Sequence, residues 1–155
     1  LEANQVPDGT PTLLHNDFKL DNVLLDDATL APVAVLDWDQ ATRGDPLFDL
    51  ATLLSYWAEP NDPEAMHNLG QMPSAGNGFP TRTEIIRLYA ERSGRDVSDF
   101  LFHRVLAMFK LGVIFMQIYA QYRRGTSSDQ RFKRFGDLTV GLMAFAHEVA
   151  QGRAT

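Results

Sequence analysis

Residues able to do polar chemistry gather in two places, His15-Asn16-Asp17-Phe18-Lys19-Leu20-Asp21-Asn22 and Asp37-Trp38-Asp39. Together they match what phosphoryl transfer needs. A carboxylate must orient an acceptor hydroxyl and take its proton, oxygen ligands must hold Mg²⁺ against the phosphates, and a cation should neutralise charge on the transferred group. Asp17 and Asn22 share one tight loop, so a carboxylate and an amide oxygen can converge on a single site. Asp37 ends an apolar run and can enter the same space from the facing side. Mg²⁺ takes one or two protein oxygens and completes its shell with phosphate and water. Asn22 and Asp37 suit that role, with Asp39 a secondary candidate for metal or loop, and Lys19 can reach a phosphate. Each residue also has a plainer reading. Asp and Asn crowd ordinary turns, Asp37 can cap a helix, and Lys19 can be a surface lysine. Asp37-Trp38-Asp39 also matches the Asp-x-Asp metal motif of a glycosyltransferase, a reading that gives Asp17 and Asn22 no role. The acidic run from Asp17 to Asp27 lacks the central Gly and terminal Glu of an EF-hand, which argues against calcium.

The surrounding pattern supplies the elements that must position these groups. Thr12-Leu13-Leu14 is a short apolar run entering the loop at His15. Asn22–Leu25 and Pro32–Leu36 read as two strands joined by a turn at Asp26-Asp27-Ala28, and the continuously apolar Val33-Ala34-Val35-Leu36 reads as a buried strand. After a loop, Asp45 caps a helix whose first residue is Pro46, with Leu47, Leu50, Ala51 and Leu54 turned inward. The Pro-, Asn- and Gly-rich stretch from Glu59 to Pro80 predicts a long connection. Thr81-Arg82-Thr83-Glu84 has capping-box spacing, and Gly94 offers a stop. The longest helix starts at Ser98 or Asp99, carries Leu101, Val105, Met108, Gly112, Phe115 and Tyr119 inward, and ends at Gly125. A last helix spans Asp129 to Ala150, with Phe132, Phe135, Leu138, Leu142, Phe145 and Val149 inward. The sum is α+β and mainly helical, a small β-hairpin beside a helical body.

Bulk composition narrows the classes. The 155 residues, 45% hydrophobic and 22% charged, suit one globular domain. A net charge of −6 speaks against a nucleic-acid surface, while Mg²⁺ lets an acidic protein bind nucleotide. The absence of cysteine removes thiolate chemistry and suits a reducing, cytoplasmic setting. Val105–Ala120 is apolar but holds Lys110 and Gln117, which favours a buried helix over a membrane span. His67, His103 and His147 have no partner at ligand spacing, and Phe102, Phe109, Phe115, Tyr119 and Tyr122 read as core.

The His-x-Asp-x-x-x-x-Asn loop, the strand ending in Asp37, and Gly44-Asp45-Pro46 with Asp49-Leu50 resemble the aminoglycoside phosphotransferase and choline kinase-like family. The wording of His15–Asn22 and Val35–Asp39 is most similar to the branch associated with acyl-CoA dehydrogenases. The resemblance implies the carboxyl-terminal lobe of a protein-kinase-like fold, spanning 1–155, without the amino-terminal lobe that clamps ATP. It implies transfer of the γ-phosphoryl group of ATP or GTP to a hydroxyl of a small molecule, with Mg²⁺. Asp17 would be the catalytic carboxylate, Asn22 and Asp37 metal ligands, Lys19 a phosphate contact, and His15 and Asp49 supports of the loop. A catalytically inactive module of the same fold is the other reading it leaves. The lobe-facing edge should expose apolar residues that favour association, and no nucleic-acid or membrane partner is expected. Two positions depart from the family pattern: Asn16 stands where Gly is usual, and Asp39 where Glu is common.

Overall fold

In the computed structural model, which describes residues 1–7, 9–76 and 78–154, two short hairpin-like pairs frame the polar loops and helices carry the core. In chain order the elements are β1 (Thr12–Leu14), β2 (Val23–Leu25), β3 (Pro32–Val35), β4 (Thr42–Gly44), α1 (Pro46–Tyr56), α2 (Glu64–Leu69), α3 (Arg82–Ser93), α4 (Phe100–Arg123) and α5 (Phe135–Ala150). Single 3₁₀ turns lie at Leu20–Asn22, Trp38–Gln40 and Gln130–Arg134.

The sequence predicts the β2–β3 hairpin, and the strands pair antiparallel with Val23 opposite Val35 and Leu24 opposite Ala34. Its turn is held by Asp26, whose carboxylate accepts from the Ala28 and Thr29 backbone and the Thr29 hydroxyl. The expected burial of the second strand is wrong. Val33 and Leu36 are 59% and 48% exposed, because this narrow hairpin stands at the edge of the helical body. A second antiparallel pair, β1 with β4, is not apparent in the sequence. It matches Leu14 to Thr42 and Thr12 to Gly44 across the two polar loops, so the chain returns beside the start of the His15–Asn22 loop.

Helix α1 begins as its sequence dictates, with the Asp45 side chain accepting from Leu47 N and Pro46 at the first position. The Thr81–Glu84 capping box forms at α3, and Gly94 closes that helix at φ +68°. The connection before α3 is not structureless, since α2 forms within it. Its flanks are tied down by Arg82, which is 1% exposed and meets Asp62, Glu59 and the Trp57 carbonyl. Ser74 Oγ accepts from Ala58 N, and Trp57 Nε1 donates to the Pro80 carbonyl. These bonds order a segment whose composition alone reads as loop.

Helix α4 packs between α1 and α5. By length and composition α4 could cross a membrane, with mean hydropathy 1.5; here its buried side meets two other helices. Being apolar nearly all round, it buries a stripe that spacing alone misplaces. Phe100, His103, Arg104, Ala107, Met108, Leu111, Gly112 and Phe115 are buried, whereas Leu101 and Phe109 are 51% and 49% exposed. Gly112 faces α5, where the end of the flexible Met143 side chain lies against it. The last helix starts later than predicted, at Phe135, after the 3₁₀ turn that holds Phe132. Leu54, Met66, Leu142 and Val149 anchor the core at 1–2% exposure. Each such side chain contributes about 1.5–3 kcal/mol by leaving water.

Candidate active site

The loop between β1 and β2 is buried from His15 to Asp17 and again at Asn22. Asp17, 7% exposed, has both carboxylate oxygens engaged. Oδ1 accepts the Tyr56 hydroxyl at 2.8 Å, and Oδ2 meets Lys19 Nζ at 3.0 Å. A buried carboxylate without such donors would be costly. Asn22 donates its amide to the Asp17 carbonyl at 2.8 Å and lies 3.4 Å from Asp17 Oδ2. That commits its nitrogen inward and leaves its amide oxygen as the group a cation would use.

The loop is held from three directions. From α1, the Asp49 carboxylate accepts from the backbone N–H groups of His15 and Asn16, each at 2.7 Å. From the segment after β3, His15 Nε2 pairs with the Leu36 carbonyl at 2.7 Å, and the His15 ring lies 4.7 Å from that of Trp38. The Asn16 side chain donates to the Gln40 carbonyl. From α4, Lys110 Nζ donates to the Asn16 carbonyl at 2.9 Å while lying over the Phe48 ring. Asn16 has φ +63°, a left-handed conformation that Gly adopts freely and Asn tolerates better than most residues. The departure from the family's usual Gly thus falls where Asn is the mildest replacement.

Asp37 also adopts a left-handed backbone, φ +64°, and is exposed. It occupies the N-cap position of the Trp38–Gln40 turn yet makes no capping hydrogen bond, so turn chemistry does not consume its carboxylate. Asp39 is exposed within that turn. The β2–β3 ladder continues through a bond from Leu36 N to the Asn22 carbonyl, which brings the residues just before Asp37 alongside Asn22. Among the described residues no three His, Cys, Asp or Glu side chains cluster as a metal centre. An Asn oxygen with one free carboxylate is instead the sparse donor set that suits Mg²⁺ with phosphate and water.

Lys19 is bound to Asp17 and lies 5.4 Å over the Tyr56 ring. Sequence reasoning missed two members of the site, Tyr56 and Lys110. Both left a signal: Tyr56 lies two helical turns beyond Asp49 on one face of α1, and Lys110 is the one charged residue in the apolar run Val105–Ala120. Burial, and then the negative Asp17 it binds, push the Tyr56 phenol above its ordinary value. Burial lowers Lys110, against the pull of Asp17 and Asp49. A cleft of about 460 Å³, lined by Glu64, Ala65, Asn68, Arg134, Asp137 and Leu138, shares no residue with this site.

Residues 1–85 match the model of the phosphotransferase enzyme family. Acyl-CoA dehydrogenase family member 11 of Rattus norvegicus is 35% identical over 79% of the chain, which spans 16% of that relative. Acyl-CoA dehydrogenase family member 10 of Mus musculus is 28% identical over 90% of the chain, which spans 13% of it. The crystal structure of a candidate aminoglycoside phosphotransferase from Ralstonia eutropha superposes with a TM-score of 0.76 at 25% identity, over 92% of this chain and 43% of that one.

Proposed function

The chain belongs to the phosphotransferase enzyme family, and from that premise we propose that it carries the acceptor-activating side of a kinase-like site moving the γ-phosphoryl group of ATP or GTP to a hydroxyl of a small molecule. One observation carries the reading: the buried Asp17 and the Asn22 amide are bonded to each other in a single loop, with their reactive oxygens differently committed. In this reading the acceptor oxygen attacks the γ-phosphorus as the bond to the β-phosphate oxygen breaks, releasing the nucleoside diphosphate. Asp17 Oδ2 receives the hydroxyl proton, while Tyr56 keeps Oδ1 fixed. Lys19 holds Oδ2 before substrate arrives and moves to the transferred phosphate, clearing that oxygen. Asn22 and Asp37 are the residues that would hold Mg²⁺, which supplies charge neutralisation on the phosphates. We propose further that an amino-terminal lobe supplies the nucleotide clamp and covers the exposed Leu24, Val33, Leu36 and Trp38 edge.

The test is a screen of hydroxylated metabolites and antibiotics with Mg-ATP and Mg-GTP, using the full-length protein and its Asp17→Asn variant. Transfer that depends on Asp17 supports the reading. Nucleotide binding without transfer to any acceptor would favour an inactive module of the same fold.

A further inference from the structure

Two polar groups from different helices reach the catalytic loop from within the helical body, and neither belongs to the motif. Tyr56, the last residue of α1, is buried and donates to Asp17 Oδ1 at 2.8 Å. Lys110, midway along α4, donates to the carbonyl of the preceding residue, Asn16, at 2.9 Å. Both side chains line one narrow crevice between α1 and α4, with Thr52, Ser55 and Leu111. Its free space of about 10 Å³ leaves no room for more than a single water. The two donors therefore act on adjacent residues from a packed floor.

We propose that Tyr56 and Lys110 are positioning residues for the phosphoryl-transfer step, a pair of fixed donors that sets the aim of the Asp17 carboxylate. Asn16 is where the backbone is least self-sufficient, a non-glycine residue at φ +63°. A conformation of that kind persists only when its surroundings over-determine it. Asp49 holds the amide side of Asn16, Gln40 holds its side chain, and Lys110 holds its carbonyl. Without Lys110 the carbonyl of the peptide linking Asn16 to Asp17 loses its side-chain donor, and that peptide keeps only the longer bond from Asp17 N to His15 Nδ1, at 3.3 Å. The carbonyl can then rotate, and the Asp17 side chain turns with it. Tyr56 fixes the other end of the same lever. With Oδ1 tethered, the carboxylate presents Oδ2 in one direction, toward Lys19 and the acceptor. General-base efficiency falls steeply with misplacement of about 1 Å, so a loose carboxylate loses rate before it loses binding. Both ties reach far along the chain, 39 and 94 residues, so the catalytic geometry depends on how α1 and α4 pack.

The inference rests on the reading of Asp17 as the base, and its test separates the two. Tyr56→Phe and Lys110→Met remove the donors while keeping the shape of the crevice. Phosphoryl transfer from Mg-ATP and hydrogen exchange of the 15–17 amides are measured on the full-length protein and each variant. Each variant should transfer at least tenfold more slowly with KM for Mg-ATP within about twofold. The double variant should be little worse than either single one, because both act through one carboxylate. Lys110→Arg, which keeps a donor, should recover part of the rate lost in Lys110→Met. The loop amides should exchange several-fold faster in both variants, while those of α5 stay protected. Wild-type exchange of the loop in both variants would overturn the proposal whether or not transfer is seen. Equal losses in KM and rate, with no rescue by Lys110→Arg, would do the same. Absence of transfer in the wild type, with faster loop exchange in the variants, would instead sink the phosphotransferase reading and leave the clamp standing.

Discussion

Asp49→Ala removes the acceptor for two backbone N–H groups at once, and its cost follows from the site's geometry. The His15 and Asn16 amides each meet the Asp49 carboxylate at 2.7 Å, both residues are buried, and Asp49 is half-buried. A hydrogen bond to a charged acceptor contributes about 1.5–3 kcal/mol net. Partial water access to Asp49 argues for the lower end, so the two bonds together give about 3 kcal/mol. For a chain of this length that corresponds to a melting point about 6–12 °C lower. Asp49→Asn keeps one oxygen and turns an amide NH₂ toward the second donor, so its loss should be smaller but still measurable. Thermal melts of the three proteins at neutral pH, with calorimetry to fix the enthalpy, test the order. If Asp49→Ala melts within about 1 °C of wild type, the carboxylate is not tying down the loop in solution.

Asp17→Asn should slow phosphoryl transfer by roughly a hundredfold to ten-thousandfold, the range for a lost general base. Mg-nucleotide affinity should stay nearly constant, and near wild-type turnover would remove Asp17 from the chemistry. Asp37→Ala should weaken Mg²⁺-dependent nucleotide binding in calorimetry, with Asn22→Ala of the same sign but smaller; unchanged Mg²⁺ dependence in Asp37→Ala would end its assignment as a ligand. The Tyr56 phenol is held above its ordinary value of 10.0, first by burial and then by Asp17. Stability should therefore fall as the pH climbs past 10.0, where the unfolded chain sheds this proton and the folded chain keeps it. Tyrosinate absorbance, read against Tyr56→Phe, should show Tyr56 titrating lower in Asp17→Asn; an unshifted titration there would break the Tyr56–Asp17 contact.

The fold was legible wherever local chemistry decides it. Asp45-Pro46 starts α1 because the carboxylate caps and the ring suits the first turn, and Thr81 to Glu84 closes a capping box on itself. The β2–β3 hairpin follows from two apolar runs around the Asp26 turn. Misreadings occur where distant partners decide. The pairing of β1 with β4 joins segments separated by the hairpin, and nothing in Thr42-Arg43-Gly44 announces a strand. Helix α2 and its ordered flanks depend on Arg82, a residue that looks from the sequence like part of the next helix's exposed first turn. Helix α4 is apolar on almost every side, so three-and-four spacing cannot choose between stripes. The choice falls to where α1 and α5 lie.

The candidate site divides along the same line. Its motif residues stand out because phosphoryl transfer asks for an acid, an amide and a second acid, and Asp17, Asn22 and Asp37 follow in that order. Much of what holds them in place is invisible locally. Beyond the short-range bonds that Asp17 makes with His15, Lys19 and Asn22, the partners of His15, Asn16 and Asp17 are Asp49, Leu36, Gln40, Tyr56 and Lys110, at separations of 21 to 94 residues. Two loops that each carry a left-handed residue, Asn16 in one and Asp37 in the other, do not keep their shape by themselves. Such positions each cost about 1–3 kcal/mol and persist only where surrounding contacts offset them. Asn16 has that support from three elements. Asp37 has no capping bond, and its carboxylate is left uncommitted where a cation would use it. The contrast separates the two halves of the site: Asn16, beside the proposed base, is fixed by the fold, whereas Asp37, the proposed metal-side acid, is left for a ligand to fix. Mutations beneath Asn16 should therefore act on rate, and mutations at Asp37 on binding.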